Sequence, residues 1–358
     1  MTLYGIADAG FQHLSSASGA NQGIASGGTS GNRWGLKGTE NLGAGWQALV
    51  RLESGFSLVN GKAAQGGREF GRQAFVGLTH RDWGSVLLGR TYDPLVDMTT
   101  VLTAEGIGGS TPFATPGDVD NNDGSMRISN AVKYISPSFA GLNAQALYGF
   151  SGLPGHAGQG STVSIGLSYA YGPLRLAGGY MQASNAGAAS TRSGWGGPNA
   201  DALFDGASIN AGYASAHTLS ITQLALQYLR GPFTVGAGYS RASYRPDAAS
   251  SFDVTETYST GRVYGFYRAS PKWQWGAGYI RTQASGDSSA TYHQFSLGGY
   301  YSLSVRTNLY VSAAWQLASG LQRLPDGSLS RARAAIASYG IDGARAQTLV
   351  MAGVRHTF

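Results

Sequence analysis

Cysteine is absent from this chain of 358 residues. That excludes a disulfide framework, thiolate zinc sites and thiol nucleophiles, although it does not identify a compartment. Charge is scarce, at 12% of residues, with 25 basic and 19 acidic, against ~25% in a soluble globular domain. A surface so poorly charged is not one that faces water everywhere. Long apolar runs are missing too: none approaches the ~18 residues that a spanning helix needs, and the mean hydropathy is −0.13. Disorder is excluded, because 42% hydrophobic and 11% aromatic residues are too many for a solvated chain. No Pro/Ser-rich linker, charge block or shift of composition divides the sequence, which reads as one domain over residues 1–358. A closed β-barrel satisfies all of these absences, since alternation dilutes its lipid-facing residues two-fold.

Glycine is abundant, with 55 residues, and the net charge of +6 is carried almost entirely by Arg, only four basic residues being Lys. Arg in place of Lys suits fixed positions better than a solvated basic coat. The Arg residues are dispersed, so nucleic acid is not an expected partner. Met1-Thr2-Leu3-Tyr4 enters an alternating segment directly. That is the pattern of a mature exported form with an added Met, or of a cytosolic protein.

Period-two alternation recurs along the chain, without sustained 3.6-residue periodicity. Trp46, Ala48, Val50 and Leu52 share one parity, and Gln47, Leu49, Arg51 and Glu53 the other. Val163, Ile165, Leu167, Tyr169 and Tyr171 form another apolar face, as do Trp273, Trp275, Ala277 and Tyr279. A soluble sandwich would alternate in the same way, so the connections carry more weight. Seven short links, near 39–45, 79–84, 136–141, 171–173, 230–232, 269–272 and 302–307, alternate with eight long segments. The long segments lie near 15–31, 57–67, 92–125, 151–160, 183–217, 244–256, 284–291 and 318–345. Eight hairpins make sixteen strands, with short turns on one rim and long loops on the other, the asymmetry of outer-membrane barrels. Sixteen strands are enough to enclose an aqueous channel. Aromatic residues such as Tyr4, Trp46, Trp83, Trp273, Trp275 and Trp315 fall near strand ends, where interfacial girdles sit.

Several segments resemble the general diffusion porins of Gram-negative outer membranes, in particular the trimeric porins of β-proteobacteria. Thr2-Leu3-Tyr4-Gly5-Ile6-Ala7-Asp8-Ala9-Gly10 resembles that family's first strand, and residues 32–43 its second strand and first turn. Phe70-Gly71-Arg72-Gln73-Ala74-Phe75-Val76-Gly77-Leu78 and Leu88-Gly89-Arg90-Thr91-Tyr92-Asp93-Pro94 resemble its fourth and fifth strands, and residues 127–137 its sixth. Val354-Arg355-His356-Thr357-Phe358 is similar to the closing strand, with Phe358 as the C-terminal aromatic read by the barrel-assembly machinery. The resemblance implies an all-β, 16-stranded antiparallel transmembrane barrel in the outer membrane of a Gram-negative bacterium. It also implies a homotrimer embedded in outer-membrane lipid and lipopolysaccharide, an inward-folded third loop, and passive diffusion of ions and small hydrophilic solutes.

The family carries a basic cluster on its pore wall, and Arg33, Arg72 and Arg127 fall where its arginines sit. Arg68, Arg90, Lys133 and Lys37 are further members. Parity supports inward placement of Arg33 and Lys37 opposite Trp34 and Leu36. It likewise places Arg127 and Lys133 opposite Ile128, Val132 and Tyr134, and Arg72 and Arg68 inward if Phe75 faces lipid. An Arg on the lipid face at mid-bilayer would cost ~2–4 kcal/mol. Arg51 shares its face with Glu53, which points to local pairing. The third loop, about 92–125, carries Asp93, Asp97, Glu105, Asp118, Asp120 and Asp123. Opposite a basic wall these acids would set up a transverse field; the alternative is that they cap turns or pair with the wall. The Pro-Glu-Phe-Gly motif of the enterobacterial branch is absent from this loop. A basic wall predicts mild anion preference, which the loop acids work against.

No catalytic constellation emerges. The six His residues are scattered, and no Gly-x-Ser-x-Gly elbow occurs, so enzyme activity is not expected. Asp118-Val119-Asp120-Asn121-Asn122-Asp123-Gly124 is out of step with an EF-hand loop, and its twelfth position is Ser129. No cofactor is expected, and loosely held calcium is the one open possibility. A sugar- or dicarboxylate-preferring porin, and more remotely an enzymatic or adhesive barrel, are the alternatives.

Overall fold

The computed structural model describes residues 1–152, 154, 159–185, 208–337 and 343–358. Parts of three expected loops (151–160, 183–217 and 318–345), with His156, lie outside the described residues. Among the described residues sixteen antiparallel strands close into one barrel. They are β1 (Thr2–Ser16), β2 in two segments (Gly19–Ser26 and Arg33–Gly43), β3 (Trp46–Gly55), β4 (Gln73–His80), β5 (Gly84–Thr91) and β6 (Ile128–Ile135). There follow β7 (Leu142–Gly149), β8 (Thr162–Tyr171), β9 (Leu174–Ser184), β10 (Thr218–Arg230) and β11 (Phe233–Arg245). The last are β12 (Glu256–Arg268), β13 (Trp273–Ser285), β14 (Thr291–Ser302), β15 (Thr307–Ser319) and β16 (Ala346–Thr357). β1 pairs with β16 from Ile6↔Thr357 to Leu14↔Leu349 and closes the sheet.

Alternation alone could not separate barrel from sandwich; burial does. Leu224 and Leu297, on the apolar parity, are 57% and 63% exposed, while Gln294 and Gln316 on the opposite parity are fully buried. A sandwich would bury the leucines. Here the apolar face is outside and the polar face is inside, as lipid around an aqueous lumen requires. Trp273 stacks on Trp275 at 5.5 Å, and Phe233 on Tyr267 at 4.9 Å, on that outer face near the short turns.

Local geometry departs from simple alternation at four places. The expected loop 15–31 is a tight turn after Ser16 followed by an inward bulge. Residues 19–26 pair back onto β1 from Ser16↔Gly19 to Ala9↔Ser26. The bulge between the segments of β2 is held by the buried Asp8, which accepts from Thr29 N (2.9 Å), Thr29 Oγ1 (2.6 Å), Ser30 N (2.9 Å) and the Tyr310 hydroxyl (2.8 Å). Tyr4 is no girdle residue: it points inward, and its hydroxyl donates to Glu53 at 2.8 Å. Phe75 also faces inward, since it lies opposite Arg51 in the ladder and stands 6.0 Å below that guanidinium. Ile128 is buried with Leu95 and Met126 of the third loop, not turned to lipid. Asn130, with φ of 52°, breaks the alternation between Ile128 and the regular part of β6.

Candidate functional site

The third loop runs from β5 to β6, over residues 92–127, and crosses the lumen. Its first helix, α1 (Pro94–Met98), begins at Asp93, whose carboxylate accepts from Leu95 N at 2.8 Å, with Pro94 just inside the start. Two wall glycines let α1 lie close: a Cβ on Gly179 would meet Leu95 at 2.7 Å, and one on Gly166 would meet Met98 at 2.9 Å. Two further short helices, α2 (Ala104–Gly108) and α3 (Ser110–Phe113), carry the chain to the opposite wall. There Gln294 Nε2 donates to the carbonyls of Pro112 (3.1 Å) and Ala114 (3.0 Å), and Tyr264 to Leu102 O (2.5 Å). Ser296 donates to Pro112 O, and Tyr300 to Gly108 O. On the way back Gln223 donates to Asp120 O at 2.7 Å and Tyr244 to Val119 O at 2.9 Å. The Asp120 carboxylate is met by Arg262 and Ser240.

Between this loop and strands β2–β6 lies a cavity of about 820 Å³. Arg33, Arg51, Arg72 and Arg127 line it from the wall, and Asp97, Glu105 and Asp123 from the loop. Tyr92 organises the basic side. Its ring lies 5.9 Å from the Arg72 guanidinium and 5.1 Å from that of Arg127, and its hydroxyl accepts from Arg127 Nη2 at 3.1 Å. Arg72 is anchored by Glu53 at 2.8 Å. Arg33 Nε donates to Gly31 O at 2.9 Å, so the bulge in β2 sets its direction.

The expected site residues therefore divide. Arg33, Arg72 and Arg127 share the cavity. Arg72 arrives there although Phe75 faces inward, because it lies just before the regular part of β4, with its N–H on Glu53 O at 3.1 Å. Arg90 is buried behind the wall, donating to Gly71 O at 2.8 Å and to Ser129 Oγ at 2.6 Å. Arg90 has the parity of the outward Val86 and Leu88; the positive φ of Gly89 (137°) and the irregular register beside it interrupt that alternation, so Arg90 is buried instead of facing lipid. Arg68 lies in the loop before β4, bonded to Gln65 O at 2.9 Å. Lys37 is exposed farther toward the short turns, 5.4 Å from the Tyr4 ring. Lys133 is fully buried, bonded to Asp97 and, at 2.8 Å, to Tyr92 O. Arg51 does not pair with Glu53 as its shared face suggests; Glu53 takes Arg72 and Tyr4 instead. Arg51 lines the cavity, 5.9 Å from the Tyr4 ring.

Of the loop acids, Asp97, Glu105 and Asp123 border the cavity. Asp93, Asp118 and Asp120 are buried elsewhere in the loop or against the far wall. Burial pushes the Asp93 carboxyl up to about 6, against the opposing Leu95 N–H. Burial, and then the neighbouring Asp123, hold both Glu105 and Asp118 well above the usual carboxylate range. Asn122 Nδ2 donates to Glu105 at 2.5 Å, and Asp118 accepts from Asp123 N at 2.9 Å. Among the described residues no group of three or more His, Asp or Glu is placed to hold a metal ion. Sequence reasoning missed Asp8, Arg51, Tyr92 and Arg262. Only Arg51 gave a signal in advance, through its inward parity.

The relatives agree with this architecture. The model of the Gram-negative porin family matches residues 1–321. An outer membrane porin protein of Bordetella pertussis is 31% identical, over 88% of this chain and 88% of its own. Outer membrane porin protein 32 of Delftia acidovorans is 29% identical over 100% of this chain and 94% of its own. Among solved structures, the anion-selective porin from Comamonas acidovorans superposes with a TM-score of 0.75 at 21% identity, covering 100% of this chain and 99% of that one. The chain belongs to the Gram-negative porin family, channels of the outer membrane through which small hydrophilic solutes diffuse passively.

Proposed function

We propose that the channel prefers anions, and that Arg33, Arg51, Arg72 and Arg127 are the residues that set the preference. The carrying observation is an imbalance within one cavity. Four guanidiniums line it, and Arg stays charged at any physiological pH. The acids opposite are partly spent: Asp97 pairs with Lys133, and burial, then the neighbouring Asp123, hold Glu105 toward its neutral form. Asp120 is spent outside the cavity, on Arg262. The arginines therefore dominate the local field. The whole chain acts as one pore domain with no cofactor.

Assembly as a homotrimer belongs to the same reading. Strands β4 to β7 have 8 residues each, against 13 in β10 to β13. The short side exposes Val76, Leu78, Val86 and Leu88, an apolar face suited to a second copy.

The reversal potential across a KCl gradient in a planar bilayer tests the preference. An anion-selective sign is expected, weakening from 0.1 M to 1 M salt as the Debye length falls from ~10 Å to ~3 Å. A cation-selective sign would overturn it. Insertion in current steps of three in the same recording is the expected mark of the trimer.

A further inference from the structure

On the lipid-facing side of β11 to β16 one row of side chains is unusually small. The directly paired outward residues of this row are Val235, Gly265, Ala277, Leu297, Ala313 and Val350. Gly265, Ala277 and Ala313 present no more than a methyl group, and the row lies in an outer groove of about 590 Å³. In the next row toward the short turns stand Phe233, Tyr267 and Trp275, which also line the groove. The Trp275 ring rests on Gly299, where a Cβ would meet it at 2.5 Å. The β4–β7 face proposed for a second copy is a different part of the barrel.

Charge on the neighbouring rim is one-sided. The three short turns of these strands, 230–232, 269–272 and 302–307 with Arg230 at the first edge, hold Arg230, Lys272 and Arg306 and no Asp or Glu. All three cations are exposed, and among the described residues none has a carboxylate partner. Arg230 shares the outward parity of Leu224, Leu226 and Tyr228 and lies directly opposite Phe233 in the ladder. Lys272 also borders the mouth of the lumen. The terminal carboxyl of Phe358 accepts from Gly5 N at 2.9 Å, against β1 and beyond the groove. Elsewhere on this rim charge is balanced: Arg81 pairs with Asp82 at 3.2 Å, and the first short turn carries Glu40. Successive short turns stand two strands apart, so the three cations form an arc with steps of roughly 10 Å, at ~4.8 Å per strand.

We propose that groove and arc together bind an anionic phospholipid of the periplasmic leaflet, such as phosphatidylglycerol, the short turns being the periplasmic ones. One acyl chain lies in the trough, whose small side chains otherwise lack contact partners. The phosphodiester lies at headgroup level, where the aromatic rings mark the interface and each nearby cation attracts an anionic lipid. A zwitterionic headgroup brings an ammonium to the same arc and is disfavoured by it. The proposal does not depend on the anion preference of the pore.

The test uses the full chain in detergent, equilibrated with equal amounts of phosphatidylglycerol and phosphatidylcholine of the same acyl chains. Lipids retained per barrel are counted by native mass spectrometry. Phosphatidylglycerol is expected to be retained in excess. Arg230→Gln should lower that excess about fivefold, and Arg230→Gln with Lys272→Gln and Arg306→Gln should bring the ratio close to one. Gly265→Leu fills the trough without strain, since a Cβ there meets only Val235, at 3.8 Å. It should lower phosphatidylglycerol retention with every cation in place. Unchanged single-channel conductance shows that each variant barrel is intact, and the charge and trough variants serve as independent tests. Equal retention of the two lipids by the unaltered protein would overturn the site, as would an unchanged ratio in the triple variant. Unchanged retention in Gly265→Leu would overturn the groove as its seat. Dissociation of the oligomer by Gly265→Leu would also overturn it, because the groove would then be covered by a second copy.

Discussion

The two sides of the barrel wall meet the third loop differently. From β2 to β6 the wall presents guanidiniums across a gap, and the loop's nearest acids are turned to Lys133 or to each other. From β10 to β15 it presents neutral donors, namely Gln223, Ser240, Gln294, Ser296 and Tyr300, each bonded to the loop without a gap. Arg262 is the exception, and its charge is consumed by Asp120. One side anchors and the other conducts. Charge left unpaired beside water creates a field, whereas a buried polar group must be satisfied or it costs stability.

The strongest way to break this contrast is to remove the Arg262–Asp120 ion pair that fastens the loop to the anchoring side. Asp120→Ala would leave Arg262 buried and uncompensated, a loss of about 3–5 kcal/mol. It should appear as a lower denaturant midpoint in detergent, with noisier single-channel current as the loop loosens. A change of selectivity with unchanged stability would show that Asp120 belongs to the conducting side instead.

A second effect concerns pH. The folded value of Asp93, about 6, lies above the usual carboxylate range, so folding favours its protonated form. The stability it contributes is complete below about 4 and is lost as pH rises through about 6, on the order of 3 kcal/mol. Glu105 and Asp118 carry the same sign. Denaturant midpoints measured from pH 4 to 8 should therefore decline. The decline should be shallower in Asp93→Asn, which retains a capping side chain. A midpoint that rises over this range would contradict the burial argument.

The smallest effect sharpens the conducting side. Among the described residues Arg51 makes no ion pair, so Arg51→Gln should leave stability nearly unchanged. Removing one charge at ~8 Å from the ion path in water is worth ~0.5 kcal/mol. The anion-to-cation permeability ratio should fall about twofold. An unaltered reversal potential would restrict the selectivity residues to Arg33, Arg72 and Arg127.

The strand count and the two rims were readable because each strand writes its own alternation and each link its own turn chemistry. The inward cluster was partly readable: Arg33 follows from parity, whereas Arg127 reaches the cavity although its neighbour Ile128 is turned inward as well. Arg72 reached the same place for a different reason, since the premise that Phe75 faces lipid does not hold. Arg90 was misplaced because it shares the parity of the outward Val86 and Leu88, and the irregular backbone at Gly89 buries it outside the cavity. Ile128 was misplaced because Asn130, at positive φ, breaks the alternation of β6. Asp93, Asp118 and Asp120 carry no alternation that could reveal their direction, because loop backbone has no fixed period.

By itself the sequence determined that this is a closed sheet of alternating strands, apolar outside and polar within, with its short turns on one rim. It also determined that the lumen is rich in Arg. Those properties are local and repeat every two residues. Only the tertiary structure decided which charges meet: Glu53 with Arg72 and not Arg51, and Asp120 with Arg262 from 142 residues away. Parity fixes the face on which a side chain lies. Its partner depends on depth along the barrel, on bulges and on where a long loop comes to rest, and those are set by packing between segments far apart in the chain.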